Sequence, residues 1–361
     1  MWMRVIGRVL PGSRVVDNAT FDASRLRTLF VRYERIGDMI MATGLIRVLA
    51  QASPRGKIDV VANSSTAPVL EGNPHVGKVF TLDRGSRASY LKLMRRLRRE
   101  RYDVIVDGRI NNPPLFTSTP MLMLAARAPY RIGVGGGNND LIYNVRVQQY
   151  DRSVPYIEGS KALSLPFGVE PALVDWQPEI FLSNEEHERA ESHWAKATHL
   201  AGADVPGKRL LVNLSASEEK RRWPDAKFVE VLQRIRRVAP RLPIILIGLP
   251  GEWSRVSEVA KSVSALAVPT PRLRDALALA GTSDMVFTPD TSISHAASAF
   301  RKPAVVLLKR EHHPYAPYNI PGENIFWDGD RIIDLSAVEV GDAVERLVRQ
   351  YSRQTALRTS D

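Results

Sequence analysis

The sequence predicts an α/β fold made of two doubly wound halves, each a parallel sheet with helices on both faces. Short apolar, β-branched-rich runs alternate with helical periodicities along the chain, which is the pattern of a parallel sheet with crossover helices. A proline-rich, irregular stretch at 150–182 separates two such series. The length of 361 residues also suits two domains of about 100–200 residues each.

The first half begins after residues 1–25, which show little periodicity and are predicted to be an N-terminal extension. Residues from Ile36 to about Gln51 are apolar on all sides, as expected of a helix packed on a sheet. Residues 86–100 are predicted to form a strongly basic helix. The predicted strands are 27–33, 57–62, 79–82, 103–107 and 131–134, and a further helix is predicted at 115–127.

The second half repeats this alternation. Its predicted strands are 209–216, 243–248, 265–269, 284–289 and 304–308, and its predicted helices are 185–198, 224–238, 251–263, 271–281, 291–301 and 335–350. We therefore place one domain at 26–175 and a second at 176–361. Ligands of such sheets bind at the carboxyl ends of the strands, so we expect a site in a cleft between the two halves.

The charge of the chain is basic and unevenly distributed. It has 50 Lys and Arg against 39 Asp and Glu. Residues 1–175 contain 25 basic and 15 acidic side chains, whereas the remaining residues contain 25 and 24. The first half is therefore expected to meet an anionic partner. No nucleic-acid recognition motif accompanies this charge, so we expect no nucleic-acid partner.

Several classes of protein are excluded by composition. The chain has no cysteine, so disulfides, thiolate metal sites and Cys nucleophiles are ruled out. No apolar run approaches the roughly 18 residues of a membrane span. Arg4 and Arg8 interrupt the first apolar stretch, which argues against a signal peptide. We expect a cytoplasmic protein, whose basic character is compatible with peripheral contact at the inner face of the plasma membrane.

The first candidate site is the junction Arg35-Ile36-Gly37-Asp38, directly after the first predicted strand. Gly37 would permit a tight turn, and Asp38 would stand at the opening of the next helix. One interpretation is that Asp38 caps that helix, a common role for aspartate. The functional alternative is a carboxylate at the strand end that accepts a proton.

The second candidate site is SASEEKRRWP, which runs from Ser215 to Pro224 after the first strand of the second half. Lys220, Arg221 and Arg222 stand together before a tryptophan and a proline. They are either a solvated charged loop or a clamp for phosphate oxygens beside a helix N-terminus.

The third candidate site is TPDTSISHAASAF at 288–300, after another predicted strand. Asp290 and Thr291 would cap a helix whose first turn contains Ser294 and His295. Exposed N–H groups and hydroxyls at such a position bind anions. The alternative is an ordinary capping motif with a buried histidine.

Other patterns indicate no cofactor and no metal. The glycine run at 133–137 lacks both the phosphate-loop continuation and the spacing of a dinucleotide fingerprint. Together with the absence of a Tyr-x-x-x-Lys pair, this disfavours a sugar-nucleotide epimerase or dehydrogenase. His312 and His313 are adjacent, which makes joint ligation of one metal difficult, and no other metal-ligand spacing is present.

Four segments in register resemble the heptosyltransferase family of glycosyltransferases, glycosyltransferase family 9. They are FVRYERIGDMIMATGLIRVLA (30–50), VLEGNPHVGKVF (69–80), KRRWPDAKFVEVL (220–232) and FTPDTSISHAASAFRKPAVVL (287–307). The resemblance covers residues from about 27 to 310. It implies the GT-B fold of two Rossmann-like domains, and a metal-independent enzyme that inverts the anomeric carbon by direct displacement. The implied donor is a nucleotide sugar, ADP-heptose, held mainly by the second half, and the acceptor is an anionic glycan or lipopolysaccharide core held by the first.

The resemblance also implies residue roles. Asp38 matches the family's general base, and the acceptor side includes Arg35 and Gly37. Lys220 or Arg221 would stabilise the departing diphosphate, and the sequence does not decide between them. The implied donor-binding residues are Ser215, Lys220, Arg221, Glu252, Asp290, Thr291, Ser292 and His295, with Glu252 matching a carboxylate that holds ribose hydroxyls.

Two positions depart from the family pattern. Ser292 stands where the family usually has glycine, and Gly44 stands where it usually has proline. The donor loop could therefore be reshaped, which leaves open another nucleotide sugar for another bacterial glycan. A catalytically idle glycan- or nucleotide-binding protein is the remaining alternative, and the retained Asp38, basic cluster and His295 argue against it.

Overall fold

The computed structural model divides into two compact units, Met1–Phe181 (the first unit) and Leu182–Asp361 (the second unit). The division follows residue 181, a few residues after the boundary at 175/176 expected from the sequence. The predicted N-terminal extension falls on residues of which only 22–24 are described. The residues that the structure describes are 22–24, 26–83, 85–110, 118–136, 138–148, 150–151, 153–203, 208–216 and 218–358.

The first unit contains a six-stranded parallel sheet in the order β3-β2-β1-β4-β5-β6. The central strand β1 is fully buried, which explains its uninterrupted apolar sequence TLFV. The strands are β1 (Thr28–Val31), β2 (Ile58–Ala62), β3 (Val76–Thr81), β4 (Val104–Asp107), β5 (Tyr130–Val134) and β6 (Val145–Val147).

Helices cover both faces of this sheet. They are α1 (Ile36–Gln51), α2 (Arg87–Glu100), α3 (Ser118–Ala126) and the short α4 (Tyr156–Ser160). The connections β1-α1-β2 and β3-α2-β4 cross the sheet in opposite directions, so right-handed crossovers put α1 and α2 on opposite faces. In agreement, α1 packs against α4, whereas α2 packs against α3.

Helix α1 is held on its outer side by the segment Asp175–Glu179 of the same unit. The Thr43 hydroxyl accepts a hydrogen bond from the Glu179 N–H at 2.8 Å, and Arg47 Nη1 pairs with the Glu179 carboxylate at 2.7 Å. A Cβ at Gly44 would lie 2.5 Å from the Trp176 carbonyl oxygen. Glycine therefore stands here because the backbone of that segment approaches the helix too closely for any side chain.

The second unit repeats the topology of the first. Its sheet is parallel in the order β12-β11-β10-β7-β8-β9, so β7 and β10 are central as β1 and β4 are. The strands are β7 (Leu210–Asn213), β8 (Ile244–Ile247), β9 (Leu266–Ala267), β10 (Met285–Pro289), β11 (Ala304–Lys309) and β12 (Gly322–Trp327). The helices are α5 (Asn184–Leu200), α6 (Asp225–Val238), α7 (Trp253–Ser262), α8 (Leu273–Thr282), α9 (Ser292–Ala299) and α10 (Ala337–Arg358).

The structure confirms the predicted fold class, and it adds a strand at one edge of each sheet. Strand β6 has three residues, and β12 begins at Gly322 immediately after Pro321, where the sequence indicates a turn. Helix α4 lies inside the stretch predicted to be irregular. Among the described residues, no helix combines the length and the apolar character needed to cross a bilayer.

Candidate active site

Asp38 lies in the first turn of α1, which begins just after the carboxyl end of β1. The interpretation of Asp38 as the helix cap is wrong, because the N-cap is Arg35 and its side chain makes no capping hydrogen bond. The tight turn expected at Gly37 is also absent, since Gly37 already lies in the helix and has no positive φ. A carboxylate in a first helical turn is favoured by the helix dipole.

A buried arginine holds the Asp38 carboxylate. Arg32 Nη2 lies 3.2 Å from Asp38 Oδ1, and only 6% of the Arg32 side chain is exposed. Its guanidinium donates to the Gly108 carbonyl at 3.2 Å and stacks over the Tyr156 ring at 5.0 Å. Burial would lower the pKa of Arg32, but Tyr156, Asp38 and Glu34 outweigh it and raise that pKa above its ordinary value. A fixed positive charge therefore stands beside Asp38.

A second ion pair lies at the end of the neighbouring strand β4. The Asp107 side chain is fully buried, pairs with Arg109 Nη2 at 2.7 Å and accepts a hydrogen bond from the Tyr143 hydroxyl at 2.7 Å. Glu34 Oε1 lies 3.7 Å from Arg109 Nε, which links this pair to the β1 end. Sequence reasoning missed these residues, although charged side chains directly after two apolar strands were a usable indication. Arg35 itself is exposed.

In the second unit, a polar network joins the carboxyl ends of β7 and β10. Asn213, which is almost fully buried, donates from Nδ2 to the hydroxyls of Thr288 and Thr291, at 3.0 Å each. Its Oδ1 accepts from the Ser215 hydroxyl at 2.7 Å. Because β7 and β10 are adjacent, this network fixes two of the predicted site segments against each other.

Helix α9 begins at this network. Thr291 is its N-cap, and the Thr291 hydroxyl accepts from the Ile293 N–H at 3.3 Å, which confirms one of the two predicted caps. Ser292 is the first helical residue, and the Ser294 hydroxyl bonds back to the Thr291 carbonyl at 2.7 Å. His295 is buried in the helix, with 6% of the residue exposed.

Asp290 does not cap this helix but contacts His312, a residue that sequence reasoning set aside. His312 Nδ1 lies 2.8 Å from Asp290 Oδ2, and His312 Nε2 lies 3.4 Å from Arg221 Nη2. Because an arginine can only donate, the Nε2 atom accepts and the Nδ1 proton is directed to Asp290. Arg221 Nη1 also lies 3.8 Å from Asp290 Oδ2. The imidazole thus bridges a carboxylate and a guanidinium at the ends of β10 and β11.

The structure separates the two basic residues that the sequence left undecided. The Arg221 side chain is 15% exposed and joins Asp290 and His312. The Lys220 side chain is 59% exposed and pairs with Glu218 at 3.2 Å. Lys220 lines a cavity of about 640 Å³ that does not include Arg221 among its lining residues.

The buried side chain of Trp223 fixes the position of the charged segment that precedes it. Trp223 is fully buried and packs edge-to-face on Phe228 and Phe287, with ring centroids 4.9 and 6.1 Å away. Its indole N–H donates to the Leu335 carbonyl at 3.2 Å. This anchor holds the chain two residues after Arg221, next to the start of α6.

Glu252 lies just before α7, beyond the end of β8. Its Oε2 accepts from the Leu249 N–H at 3.0 Å, and its Oε1 pairs with Arg222 at 3.0 Å and Arg255 at 3.1 Å. The carboxylate is oriented by these contacts and retains 11% exposure. Arg222 therefore acts as a partner of Glu252.

The structure places the predicted donor residues of the second unit after the carboxyl ends of β7, β8 and β10, while Asp38, Arg35 and Gly37 belong to the first unit. In the described part of the chain, no group of three or more His, Asp or Glu side chains could hold a metal ion.

Two Rossmann-like units, each with polar and basic groups beyond the carboxyl ends of its strands, form the architecture of the GT-B fold, which many glycosyltransferases share. The family model for glycosyltransferase family 9 (heptosyltransferase) matches residues 90–321. Lipopolysaccharide heptosyltransferase 3 of Escherichia coli K12 is 23% identical over 312 residues, covering 81% of this chain and 86% of its own length.

Solved structures show the same fold. A glycosyltransferase family 9 protein from Veillonella parvula has a TM-score of 0.76 at 18% identity, over 92% of this chain and all of its own. E. coli heptosyltransferase WaaC with ADP-2-deoxy-2-fluoro heptose has a TM-score of 0.65 at 17% identity, over 90% of this chain and 99% of its own. The chain belongs to glycosyltransferase family 9, the heptosyltransferase family, and is a glycosyltransferase.

Proposed function

We propose that this transferase moves heptose from ADP-heptose to an anionic lipopolysaccharide core acceptor, with inversion at the anomeric carbon. The donor assignment is supported by the ADP-sugar analogue in the WaaC structure and the acceptor by the name of the E. coli relative. The basic first half suits a phosphorylated, carboxylate-rich acceptor, at the inner, cytoplasmic face of the membrane.

In the proposed reaction, an acceptor hydroxyl oxygen attacks the anomeric carbon while the bond from that carbon to the diphosphate oxygen breaks. Asp38 takes the proton of the attacking hydroxyl, and ADP leaves with the bonding electrons. The observation that carries this proposal is the Arg32–Asp38 pair, in which a buried guanidinium orients a partly exposed carboxylate at a strand end. Arg35 and Gly37 would contact the acceptor next to that carboxylate.

Arg221 would stabilise the negative charge that develops on the departing diphosphate. Asp290, His312 and Glu218 lie within 3.4 to 3.8 Å of the guanidinium nitrogens and fix its position. The N-terminus of α9, with Thr291 and Ser292, would add N–H donors and hydroxyls for phosphate and sugar oxygens. The other contacts proposed for the donor come from Ser215, Lys220, Glu252 and His295, with Glu252 on the ribose hydroxyls.

The test compares Asp38→Asn with Asp83→Asn, an exposed carboxylate of the same unit. Removing the base should lower kcat by about 10²–10⁴-fold while ADP still raises the melting temperature. Asp83→Asn should retain wild-type turnover. Unchanged turnover in Asp38→Asn would refute the assignment of the base.

The donor itself is tested by thermal shift with ADP-, GDP-, UDP- and TDP-sugars, because a nucleotide that binds the folded chain raises its melting temperature by mass action. We expect a shift with ADP-heptose. The other nucleotide sugars are included because Ser292 replaces the glycine that is usual in the donor loop of the family. A shift with only one of these other sugars would assign that sugar as the donor.

A further inference from the structure

The exposed side of α2 carries a row of cations that the proposed reaction does not use. This surface, here called the basic face, consists of Arg87, Lys92, Arg95, Arg98 and Arg99, all of them exposed. At 100° per residue, they fall within about 140° of the helix circumference and extend over about 18 Å. The opposite side of the helix buries Leu93 and Leu97 in the core of the first unit.

Among the described residues, acidic side chains do not neutralise the basic face. No ion pair is formed by its members within the described residues, and Glu100 is the only acid on the helix. That carboxylate is already held by Arg27 Nη2 at 2.6 Å and Lys78 Nζ at 2.9 Å. Glu100 also lies on the side of α2 opposite to the basic face.

Three exposed arginines elsewhere in the chain are each paired with a carboxylate. Arg272, Arg346 and Arg349 are more than half exposed, and each pairs with a carboxylate at 2.6 to 2.8 Å, namely Asp275, Glu323 and Glu345. On α2, by contrast, Arg95 and Arg99 are like charges at i and i+4, a spacing that destabilises a helix slightly. A helix face that carries only positive charges is stabilised when it binds an anionic surface, because the repulsion between its side chains is then offset.

We propose that the basic face of α2 docks the enzyme on an anionic lipid bilayer. Leu91 is 52% exposed and stands on the same side, one turn from Arg87 and one turn from Arg95, so an apolar side chain projects among the cations. Juxtamembrane cations bind anionic headgroups electrostatically, without insertion of the helix. The choice of a bilayer rests on the proposed function, in which the acceptor is a lipid-linked glycan.

The position of α2 in the fold suits this role. The helix starts at Arg87, beyond the carboxyl end of β3, and Asp38 follows the carboxyl end of β1 in the same parallel sheet. Arg87 and the proposed base therefore lie at the same edge of that sheet. A membrane bound along α2 would present lipid-linked acceptors to that edge.

The experiment is co-sedimentation of the full chain with vesicles of phosphatidylcholine alone or with about 30% phosphatidylglycerol. The variant is Arg95→Gln/Arg98→Gln/Arg99→Gln, and the matched control is Arg272→Gln/Arg346→Gln/Arg349→Gln. Both remove three positive charges, and glutamine keeps a helix propensity close to that of arginine. Circular dichroism melting verifies that each variant is folded.

We expect the wild type to bind only the anionic vesicles and to be released by high salt. The α2 variant should bind on the order of 100-fold more weakly, whereas the control should bind like the wild type. The proposal is overturned if the wild type does not bind anionic vesicles, or if both variants lose binding equally. Retention of double-stranded RNA by the basic face, without vesicle binding, would also overturn it.

Vesicle binding needs no donor, so this result is independent of the transfer assay. If the protein transfers sugar to a lipid-free acceptor but does not bind vesicles, the membrane-docking proposal is refuted and the proposed function stands. If it binds vesicles through α2 but binds no ADP-sugar, the proposed donor is refuted and the membrane-docking proposal stands.

Discussion

Two adjacent basic residues before Trp223 have different surroundings, and this difference is the basis for assigning the proposed diphosphate contact to one of them. Arg221 is largely buried between Asp290 and His312, so its orientation is fixed before a ligand arrives. Lys220 is mostly exposed and pairs with Glu218, the one ion-pair partner it has among the described residues. A preorganised cation stabilises developing charge better than a mobile one.

Separate alanine substitutions test this distinction. We expect Arg221→Ala to lower kcat by about 10²–10³-fold, the usual effect of removing one preorganised donor to a developing anion. Lys220→Ala serves as the matched control and should change kcat by less than about tenfold. Steady-state kinetics with the donor at saturation gives both values. A larger effect of Lys220→Ala would reassign the clamp.

At the residue scale, the sequence indicated where the polar groups lie but not which of them meet. Asp290 and Thr291 directly follow an apolar strand, and Asp38 and Arg221 stand seven and eight residues after one, so their place at strand ends could be predicted. The contact of His312 with Asp290 joins residues 22 positions apart through the order of β10 and β11, which local patterns do not contain.

At the scale of elements, the close contact between α1 and the segment Asp175–Glu179 predicts a sensitive glycine. Gly44→Ala should destabilise the chain by about 1–3 kcal/mol, because its new Cβ would overlap the Trp176 carbonyl. The segment cannot easily move away, since Thr43 and Arg47 both bind Glu179.

Gly251→Ala is the control for this substitution, because a Cβ there would meet nothing within 4 Å and φ is not positive. Urea denaturation of both variants measures the difference in the free energy of unfolding. Equal stability of the two would show that the segment yields to the added methyl group.

An ion pair between α5 and α8 makes stability depend on pH. Hydrogen bonds from Arg274, followed by one from the Ser183 N–H, overcome the effect of burial and lower the pKa of Glu186 to about 2. Because the folded pKa lies below the usual 4.5, the stabilisation is complete above pH 4.5 and disappears as the pH falls toward 2. Solvent screening limits the total effect to about 1–3 kcal/mol.

Urea denaturation at pH 7, 5 and 3 tests this dependence. Glu186→Gln should be less stable at pH 7 and should lose less stability on acidification than the wild type. Glu185→Gln is the matched control, since that side chain is 82% exposed and pairs with Arg189 in the next turn. The same acid response in all three proteins would contradict the assignment.

The long apolar strands and amphipathic helices were predictable because their periodicity is local. The edge strands β6 and β12 could not be predicted in this way, because an edge strand pairs with a single neighbour. Such a strand can be short, and it can begin next to a Pro-Gly pair. Helix α4 was likewise hidden, because it has only five residues and is fixed by packing against α1.

At the scale of the whole molecule, both units have the same strand order, and the sequence repeats the same strand–helix alternation. That alternation was sufficient to predict two doubly wound sheets. The uneven charge was also visible in the sequence, but its concentration on one face of α2 required the structure, because burial of Leu93 and Leu97 determines which side of the helix is exposed.

The parallel arrangement of each sheet has a consequence for synthesis on the ribosome. Strand β1 pairs with β4, whose register joins Thr28 to Val104, so the centre of the first sheet cannot close until more than seventy further residues have emerged. Closing so long a loop is slow, and it precedes most of the stabilising contacts. The first unit can nevertheless finish while the second is still being translated, since all six of its strands precede Leu182. During synthesis, the first three strands of each sheet are therefore present before the second central strand, β4 in one unit and β10 in the other, has emerged.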